Sequence, residues 1–305
     1  MSNFILVTGV SSGIGLGIAR DLIGQGYTVF GSVRKQADGQ RVAQELGAGF
    51  IPLHFDVTDA EAIHDAAKEV RSLVGNLGLA GLVNNAGINL TGPLLQLELG
   101  DIRALFEVNV FGVIAVTRAF LPLLMADPAI GRKPGRIVNI SSVSGAFAAP
   151  FLGAYAGAKH AVEAVTQALR RELTIYGIHV CAIEPSFVKT DMLDKGAHES
   201  EAERFDGTDY ASQWRAFLGS LLKSGAKAPG VEVVAAAVRH ALFSRKPKTR
   251  YPLDSVWWFG RFLPDRQFDR LIFKAIGFGR VGKHDTSSPS LRGGANAQAN
   301  DRIVL

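Results

Sequence analysis

A short apolar strand that runs directly into a glycine-rich turn constrains the fold of this chain most. Phe4–Val7 is fully apolar, as buried strands of parallel sheets are. The turn Thr8–Gly15 follows, and Leu16–Ile23 is predicted to be a helix. Glycines between a strand and a helix let the backbone approach a phosphate, while helix N–H groups point at the anion. The spacing G-x-x-x-G-x-G differs from the commonest dinucleotide fingerprint, but the strand–turn–helix context favours a nucleotide site over a structural turn.

The alternation of strands and helices continues along most of the chain. Further strands are predicted over Tyr27–Val33, Ile51–Phe55, Leu79–Val83, a run ending at Ile140, Ile178–Ile183 and Thr249–Leu253. Helices are predicted over Ala60–Val74, Gly100–Leu124, Gly153–Tyr176 and Val231–Phe243. This order predicts an α/β fold, a Rossmann-type doubly wound parallel sheet with helices on both faces and a small C-terminal substrate lobe. We expect one catalytic domain over 1–253 with its substrate lobe within about 186–230, an amphipathic extension over 254–280 and a disordered tail over 281–305.

Two residues on one predicted helix suggest acid–base chemistry. Tyr155 and Lys159 are four residues apart, so they share a helix face, and a neighbouring ammonium is expected to lower the pKa of a phenol. Tyr155 is therefore a candidate general acid or base, although a solvated helix face is the ordinary reading of such a pair. Ser142 follows an apolar strand, where its hydroxyl can hold a carbonyl or alcohol oxygen. Asn109, inside a long apolar helix, is either a satisfied core amide or a polar group that faces the site.

The residues after the second predicted strand bear on the choice of cofactor. In a dinucleotide-binding unit, an acid at this place reads a ribose 2′-hydroxyl and an arginine accommodates a 2′-phosphate. No acid lies between Gly26 and Lys35, where the chain has Arg34. This favours NADP over NAD. Asn85, at the end of the fourth strand, is interpreted mainly as structural support.

Composition excludes several other classes of protein. The 305 residues are 47% hydrophobic and 20% charged, as in globular proteins. There is one cysteine, no metal-ligand spacing among the seven histidines, and no run of eighteen apolar residues. We therefore expect a cytoplasmic protein that lacks disulfides, metal and a signal peptide. The basic C-terminal part has no aromatic–basic platform on the sheet, so nucleic-acid binding is not expected.

With these motifs in place, the chain resembles the short-chain dehydrogenase/reductase family over about Phe4–Thr190, and is most similar to its hydroxysteroid and retinol dehydrogenase-like branch. The resemblance implies that Tyr155 donates or accepts the proton, Lys159 lowers its pKa and anchors the ribose, Ser142 binds the substrate oxygen, and Asn109 supports a proton relay. It also implies NADP(H) as cofactor. The implied cofactor-binding residues are Gly9, Ser11, Ser12, Gly13, Ile14, Gly15, Arg34, Asp56, Val57, Asn85, Ala86, Gly87, Tyr155, Lys159, Pro185, Val188 and Thr190.

The sequence thus predicts an NADP(H)-dependent oxidoreductase that interconverts an alcohol and a ketone or aldehyde, on a lipophilic substrate. Alternatives are an NAD-dependent hydroxy-acid or alcohol dehydrogenase of the same family, a sugar-nucleotide epimerase or dehydratase, and a non-catalytic NADP-binding regulator. Small residues along the helix of Tyr155, and the pairing common in the family, predict a homodimer or homotetramer. Residues 255–279 combine the aromatic cluster Trp257–Phe259 with a basic stripe. Two readings stay open for them, a helix packed on the protein itself or a peripheral contact with anionic membrane.

Overall fold

The computed structural model describes residues 3–189, 198–276 and 278, and among the described residues seven strands form one parallel sheet. In chain order the strands are β1 (Phe4–Val7), β2 (Thr28–Val33), β3 (Phe50–His54), β4 (Gly81–Asn84), β5 (Arg136–Ile140), β6 (His179–Glu184) and β7 (Arg250–Pro252). Their order across the sheet is β3-β2-β1-β4-β5-β6-β7, with Val7 opposite Gly31 on one side and Val83 on the other. The chain order reverses between β1 and β4, and such a reversal leaves a crevice at the carboxyl ends of the strands.

Helices cover both faces of the sheet. They are α1 (Gly13–Gly24), α2 (Gln36–Leu46), α3 (Ala60–Val74), α4 (Leu99–Phe106), α5 (Gly112–Leu124), α6 (Gly153–Glu172), α7 (His198–Glu203), α8 (Ala211–Ala226), α9 (Glu232–Phe243), α10 (Val256–Phe262) and α11 (Asp265–Ile276). On one face, side chains of α1 and α9 such as Ile18 and Val238 are buried against the strands. On the other face, Ile63 of α3 and Phe120 of α5 are buried in a second cluster. The predicted doubly wound Rossmann-type sheet is confirmed.

Several predicted elements have the predicted bounds, and others do not. Helix α3 spans Ala60–Val74 as predicted, because Asp59 caps it by accepting from the backbone N–H groups of Glu61 and Ala62. The bounds of β2, β3 and β4 differ by one or two residues, since hydrogen bonds to neighbouring strands, not the apolar run, set strand ends. The predicted helix 153–176 is α6 followed by a 3₁₀ turn that ends at Gly177.

The long apolar helix is interrupted where Asn109 lies. A π-helical segment, Glu107–Phe111, separates α4 from α5. By length and composition alone, Leu99–Leu124 would suffice to cross a bilayer. However, Leu105, Val116 and Phe120 are fully buried in the protein, as in a core helix.

The lobe beyond β6 packs through aromatic rings onto the loop that precedes α6. Trp214 of α8 is fully buried, and its ring centroid lies 5.5 Å from that of Phe151 in an edge-on arrangement. Phe205 and Phe217 complete this aromatic cluster. Phe151 has a φ of 66°, which among the described residues makes it the one non-glycine in the left-handed region. The lobe therefore contacts the chain only four residues before Tyr155.

The C-terminal extension consists of two helices, α10 and α11, which are separated by Leu263 and Pro264. The aromatic cluster Trp257–Phe259 lies in α10, and the basic stripe lies on the following helix, α11; Pro264 separates the two helices. Trp257 is buried, and Phe268 of α11 lies 4.9 Å from Phe147 between ring centroids. The predicted tail, 281–305, lies outside the described residues.

Candidate active site

The turn after β1 is shaped so that only glycine fits at its key positions. Gly9 and Gly13 have φ values of 70° and 57°, which L side chains rarely adopt. A Cβ on Gly15 would stand 2.1 Å from the carbonyl oxygen of Gly9 and 2.5 Å from Nδ2 of Asn85. Because α1 begins at Gly13, its first N–H groups lie at this turn. The turn is a cradle for an anionic phosphate.

Neighbouring strands hold this turn in place. Asn85 donates through Nδ2 to the carbonyl oxygens of Thr8 (2.9 Å) and Gly9 (3.0 Å). The hydroxyl of Thr8 accepts from the backbone N–H groups of Asn85 and Ala86, both at 2.9 Å. Asn85 thus has the supporting role that its position in the sequence suggested.

Sequence reasoning missed Ser32, which binds the same turn from β2. Its buried hydroxyl accepts a 3.0 Å hydrogen bond from the Gly9 N–H. The signal was present, since a serine near the end of an apolar strand of a parallel sheet points to the edge where ligands bind.

A cleft lies against the turn, at the carboxyl ends of β1, β2 and β4. It brings together seven of the predicted cofactor-binding residues, Gly9, Ser11, Arg34, Asp56, Val57, Ala86 and Gly87, and is also lined by Ser32, Val33, Phe55, Ile88 and Val108. Helix α1 begins beside it with Gly13, Ile14 and Gly15, and its N-cap is Ser12. The apolar walls suit a flat aromatic base, and the cradle suits its phosphates. The residues present therefore fit a dinucleotide.

Two arginines border this cleft. Arg34 is exposed and lines it directly after β2. Arg41 of α2, which sequence reasoning did not select, donates to the backbone carbonyl oxygen of Ser11. Asp56 uses one carboxylate oxygen to accept from the N–H (2.9 Å) and hydroxyl (2.8 Å) of Thr58. Arg34 thus places a positive charge on the cleft rim, whereas Arg41 is ion-paired with Asp38 and Glu45.

The structure brings Ser142, Tyr155 and Lys159 together beyond the end of β5. All three are buried, with 8%, 8% and 4% of their surfaces exposed. The Ser142 hydroxyl is hydrogen-bonded to the Tyr155 hydroxyl and also accepts from the Ser144 N–H at 3.1 Å. Lys159 Nζ lies 5.6 Å from the Tyr155 ring centroid and donates to the carbonyl oxygen of Ile140 at 3.0 Å. The hydroxyl of Ser142, the phenol of Tyr155 and the ammonium of Lys159 thus lie in one buried group.

The pKa values in this group differ from the expectation. Burial raises the pKa of Tyr155, and the hydrogen bond with Ser142 only partly offsets this rise. Burial also lowers the pKa of Lys159 to about 8, while the charge of Glu163 raises it. The expectation that the pKa of Tyr155 lies below its usual value was wrong for the chain by itself, because desolvation of the phenolate raises that pKa more than Ser142 lowers it.

The other predicted site residues that the structure describes make hydrogen bonds or packing contacts within the protein itself. Asn109 is buried, and its side chain both accepts from the N–H and donates to the carbonyl of Ile88, each at 2.8 Å. Of its two interpretations, the side chain therefore matches the satisfied amide. Pro185 accepts through its carbonyl oxygen from the Val143 N–H at 2.9 Å. Val188 packs against the core beside β6, and Thr190 lies outside the described residues.

These parts define a class. Tyr155 belongs to the same buried cluster as Ile88, which lines the cleft. A glycine cradle at the reversal point of a parallel sheet, combined with a buried tyrosine that can exchange a proton, is typical of Rossmann-type oxidoreductases that use a nicotinamide dinucleotide. The family described as "short chain dehydrogenase" matches residues 3–201. The chain belongs to this short-chain dehydrogenase family.

Known relatives agree with this assignment. An NADPH-dependent 3-dehydrocapnine reductase of Ornithobacterium rhinotracheale is 38% identical over 90% of this chain and 97% of its own length. Mouse retinol dehydrogenase 5 is 32% identical over 88% of this chain and 87% of its own. The crystal structure of a short-chain dehydrogenase from Streptomyces avermitilis superposes with a TM-score of 0.72 at 28% identity, over 91% of this chain and 97% of its own. Matches to retinol and 17-beta-hydroxysteroid dehydrogenases confirm the predicted branch.

Proposed function

We propose that this chain is an NADP(H)-dependent oxidoreductase that interconverts an alcohol and a ketone or aldehyde on a lipophilic substrate. The observation that carries the proposal is the buried group of Ser142, Tyr155 and Lys159 beside the glycine cradle. A non-catalytic regulator would need the cradle but not this group. The name of the bacterial NADPH-dependent reductase supports the choice of cofactor.

The chain's own residues have distinct roles in this mechanism. The bound nicotinamide supplies or takes up the hydride. The Ser142 hydroxyl holds the substrate oxygen. The Tyr155 hydroxyl gives that oxygen a proton in reduction and becomes a phenolate, and in oxidation the Tyr155 phenolate takes the proton from the alcohol. Lys159, which donates to the Ile140 carbonyl, places a positive charge near the phenol and would hold a ribose hydroxyl of the bound cofactor. The turn at Gly9, with Arg34 at the rim, holds the phosphates.

Apolar side chains around Tyr155 support a lipophilic substrate. Leu94 is 52% exposed and lies 3.4 Å from where a Cβ on Gly153 would stand, at the start of α6. Phe187 is 39% exposed just after Pro185, whose carbonyl oxygen binds the residue next to Ser142. Exposed apolar groups at the start of the helix of Tyr155 and in the segment after Pro185 favour binding of an apolar chain or ring.

A substrate panel combined with one variant tests the proposed activity. Purified protein is assayed with NADPH or NADP⁺ and with long-chain, steroid-like and short polar carbonyls or alcohols, following absorbance of the reduced cofactor. We expect turnover on apolar members. Tyr155→Phe should bind NADPH nearly normally yet lose about 10²–10⁴-fold in turnover, the scale of lost acid–base catalysis. Near-normal turnover of this variant would remove Tyr155 from the mechanism, and NADPH binding without turnover on any member would favour the regulator.

We further propose that α10 and α11 contact an anionic membrane surface, and that the protein is otherwise cytoplasmic. Trp258, Phe259 and Phe262 of α10 are 54%, 52% and 69% exposed and lie on one helix face. Arg266, Arg270 and Lys274 form an exposed stripe along α11. Aromatic rings suit the boundary of a bilayer, and each basic residue near an anionic surface adds about 1 kcal/mol.

Vesicle co-sedimentation tests this contact in the full-length protein. Changing Trp258, Phe259 and Phe262 to serine should abolish binding to phosphatidylserine vesicles at low salt. The matched control changes the exposed Leu95 and Leu99, which lie elsewhere, to serine and should bind as before. Equal binding by native and triple-variant protein would refute the proposed membrane contact.

We also propose that a second copy of the chain covers α5 and its surroundings. Phe111 and Ile114 are 53% and 40% exposed and lie on the outer side of the long helix, where water would otherwise contact them. The expected homodimer or homotetramer is measured by light scattering. Phe111→Asp should shift it to monomer, whereas a native monomer at micromolar concentration would exclude it.

A further inference from the structure

A row of charged side chains, all buried except the partly exposed Arg250, runs from the proposed active site to the edge of the sheet. Glu163 lies one helical turn after Lys159 on α6, and only 5% of its side chain is exposed. Nη1 of Arg250, on β7, lies 2.5 Å from Glu163 Oε2 and 2.6 Å from Oε1 of the fully buried Glu184. Two carboxyl groups from different elements thus share one guanidinium.

The C-terminal extension closes this row. The indole N–H of Trp257, on α10, donates to the same Oε1 of Glu184 at 2.9 Å. Trp257 is itself buried, and the Arg250 guanidinium lies 5.9 Å from its ring centroid. Arg250 is therefore held from three sides, and its position fixes that of Glu163.

The charges of Lys159, Glu163 and Glu184 interact strongly because these side chains are buried and water screens them little. A buried ammonium without a nearby anion tends to lose its proton, and Lys159 is 4% exposed. The groups that face Lys159 are Tyr155 and Glu163 on α6 and the Ile140 carbonyl on β5. Of these, only Glu163 brings a negative charge while Tyr155 is protonated.

We propose that Glu163 is the positioning residue that keeps Lys159 charged, and that Arg250, backed by Glu184 and Trp257, holds Glu163 in position. This inference rests on the proposed function, because it assigns a charged partner, Glu163, to Lys159 of the proposed active site. The pKa of Lys159, about 8, agrees with it, because burial lowers that value and Glu163 raises it. The pKa of Glu184 is raised to about 8 by its burial and by the charge of Glu163, so near neutral pH Glu184 adds little negative charge of its own.

Direct titration of Lys159 tests this role without relying on turnover. Protein labelled with ¹³Cε-lysine is titrated by NMR, and Lys159→Arg assigns the signal. We expect the native midpoint near pH 8 and a midpoint about one to two pH units lower in Glu163→Gln, from the interaction of two charges one helical turn apart. Glu163→Asp keeps the charge but withdraws it by one methylene, so its midpoint should fall by about half a unit. The alkaline limb of kcat in the reductive direction should move with the midpoint.

Glu184→Gln is the matched control, because it keeps an oxygen that accepts from Arg250 and Trp257 while removing the other acid. Its Lys159 midpoint should stay within about 0.3 units of the native value, less than the expected effect of Glu163→Gln. An unchanged midpoint in a folded Glu163→Gln, or an equal fall in both variants, would overturn the proposal. If Glu163→Gln does not fold, an unchanged midpoint in Glu163→Asp overturns it instead. A shifted midpoint without any turnover in the native protein would refute the proposed function and leave this charge relation standing.

Discussion

The buried Glu184 predicts an unusual dependence of stability on pH. Its pKa is raised from 4.5 to about 8, so the folded protein keeps a proton between these values that the unfolded chain has lost. The stability contributed by this group is complete below about pH 4.5 and is lost as pH rises towards 8. Each pH unit in this window lowers the free energy of unfolding by about 1.4 kcal/mol. A rise from pH 5 to pH 8 should therefore remove about 2–4 kcal/mol.

Glu184→Gln separates this effect from all others, because glutamine does not titrate. Urea unfolding of both proteins at pH 5, 6, 7 and 8 gives the difference in their free energies of unfolding. We expect this difference to change by about 2–4 kcal/mol in favour of the variant between pH 5 and pH 8. The control is Glu69→Gln, at an exposed position of α3, whose difference should not change with pH. A difference for Glu184→Gln that is constant over this range would refute the reasoning.

Three further substitutions test other parts of the structure. Arg34→Ala should reduce the preference for NADP over NAD by one or two orders of magnitude in kcat/KM, since a charged hydrogen bond to phosphate is worth about 1.5–3 kcal/mol; a native preference for NAD would contradict this. Gly15→Ala should weaken NADPH binding more than about tenfold in a fluorescence titration, because its Cβ would stand 2.1 Å from the Gly9 carbonyl oxygen; Gly24→Ala, with open space around its Cβ, is the control. Trp214→Ala should lower the free energy of unfolding by about 3–5 kcal/mol in urea, the usual cost of removing a buried aromatic ring; a loss under 1 kcal/mol would mean that the lobe is not packed as described.

Local signals predicted the elements of the fold well. Asp59 caps the start of α3, and Gly177 ends the 3₁₀ turn that follows α6. Both could be read from the sequence because a cap depends only on residues within a few positions of it. The π-helical segment around Asn109 leaves no such signal, since it depends on packing around one extra residue in the helix. The break between α10 and α11 was readable from Pro264, but the aromatic run before it was assigned no structure.

The candidate site was predictable where one short segment supplies it. The glycine turn, and the Tyr155–Lys159 pair on a single helix, could be located from their spacing together with the order of strands and helices around them. Contacts between distant segments could not, and the pairing of Glu184 with Arg250 joins residues 66 positions apart. The pKa of Tyr155 was misjudged for a similar reason, because spacing shows the neighbour but not the depth of burial.

The left-handed backbone at Phe151 has a mechanical consequence. A φ of 66° is unfavourable for a residue with a large side chain, by roughly 1–3 kcal/mol. Rings of Trp214 and Phe217, with centroids at 5.5 and 5.3 Å, hold Phe151 in this conformation. Contacts with the lobe therefore stabilise an otherwise unfavourable backbone conformation in this loop. If α8 moves away, the loop around Phe151 is expected to relax to a more favourable conformation. Because Tyr155 follows only four residues later, we expect the same movement to displace its hydroxyl from the reactive position.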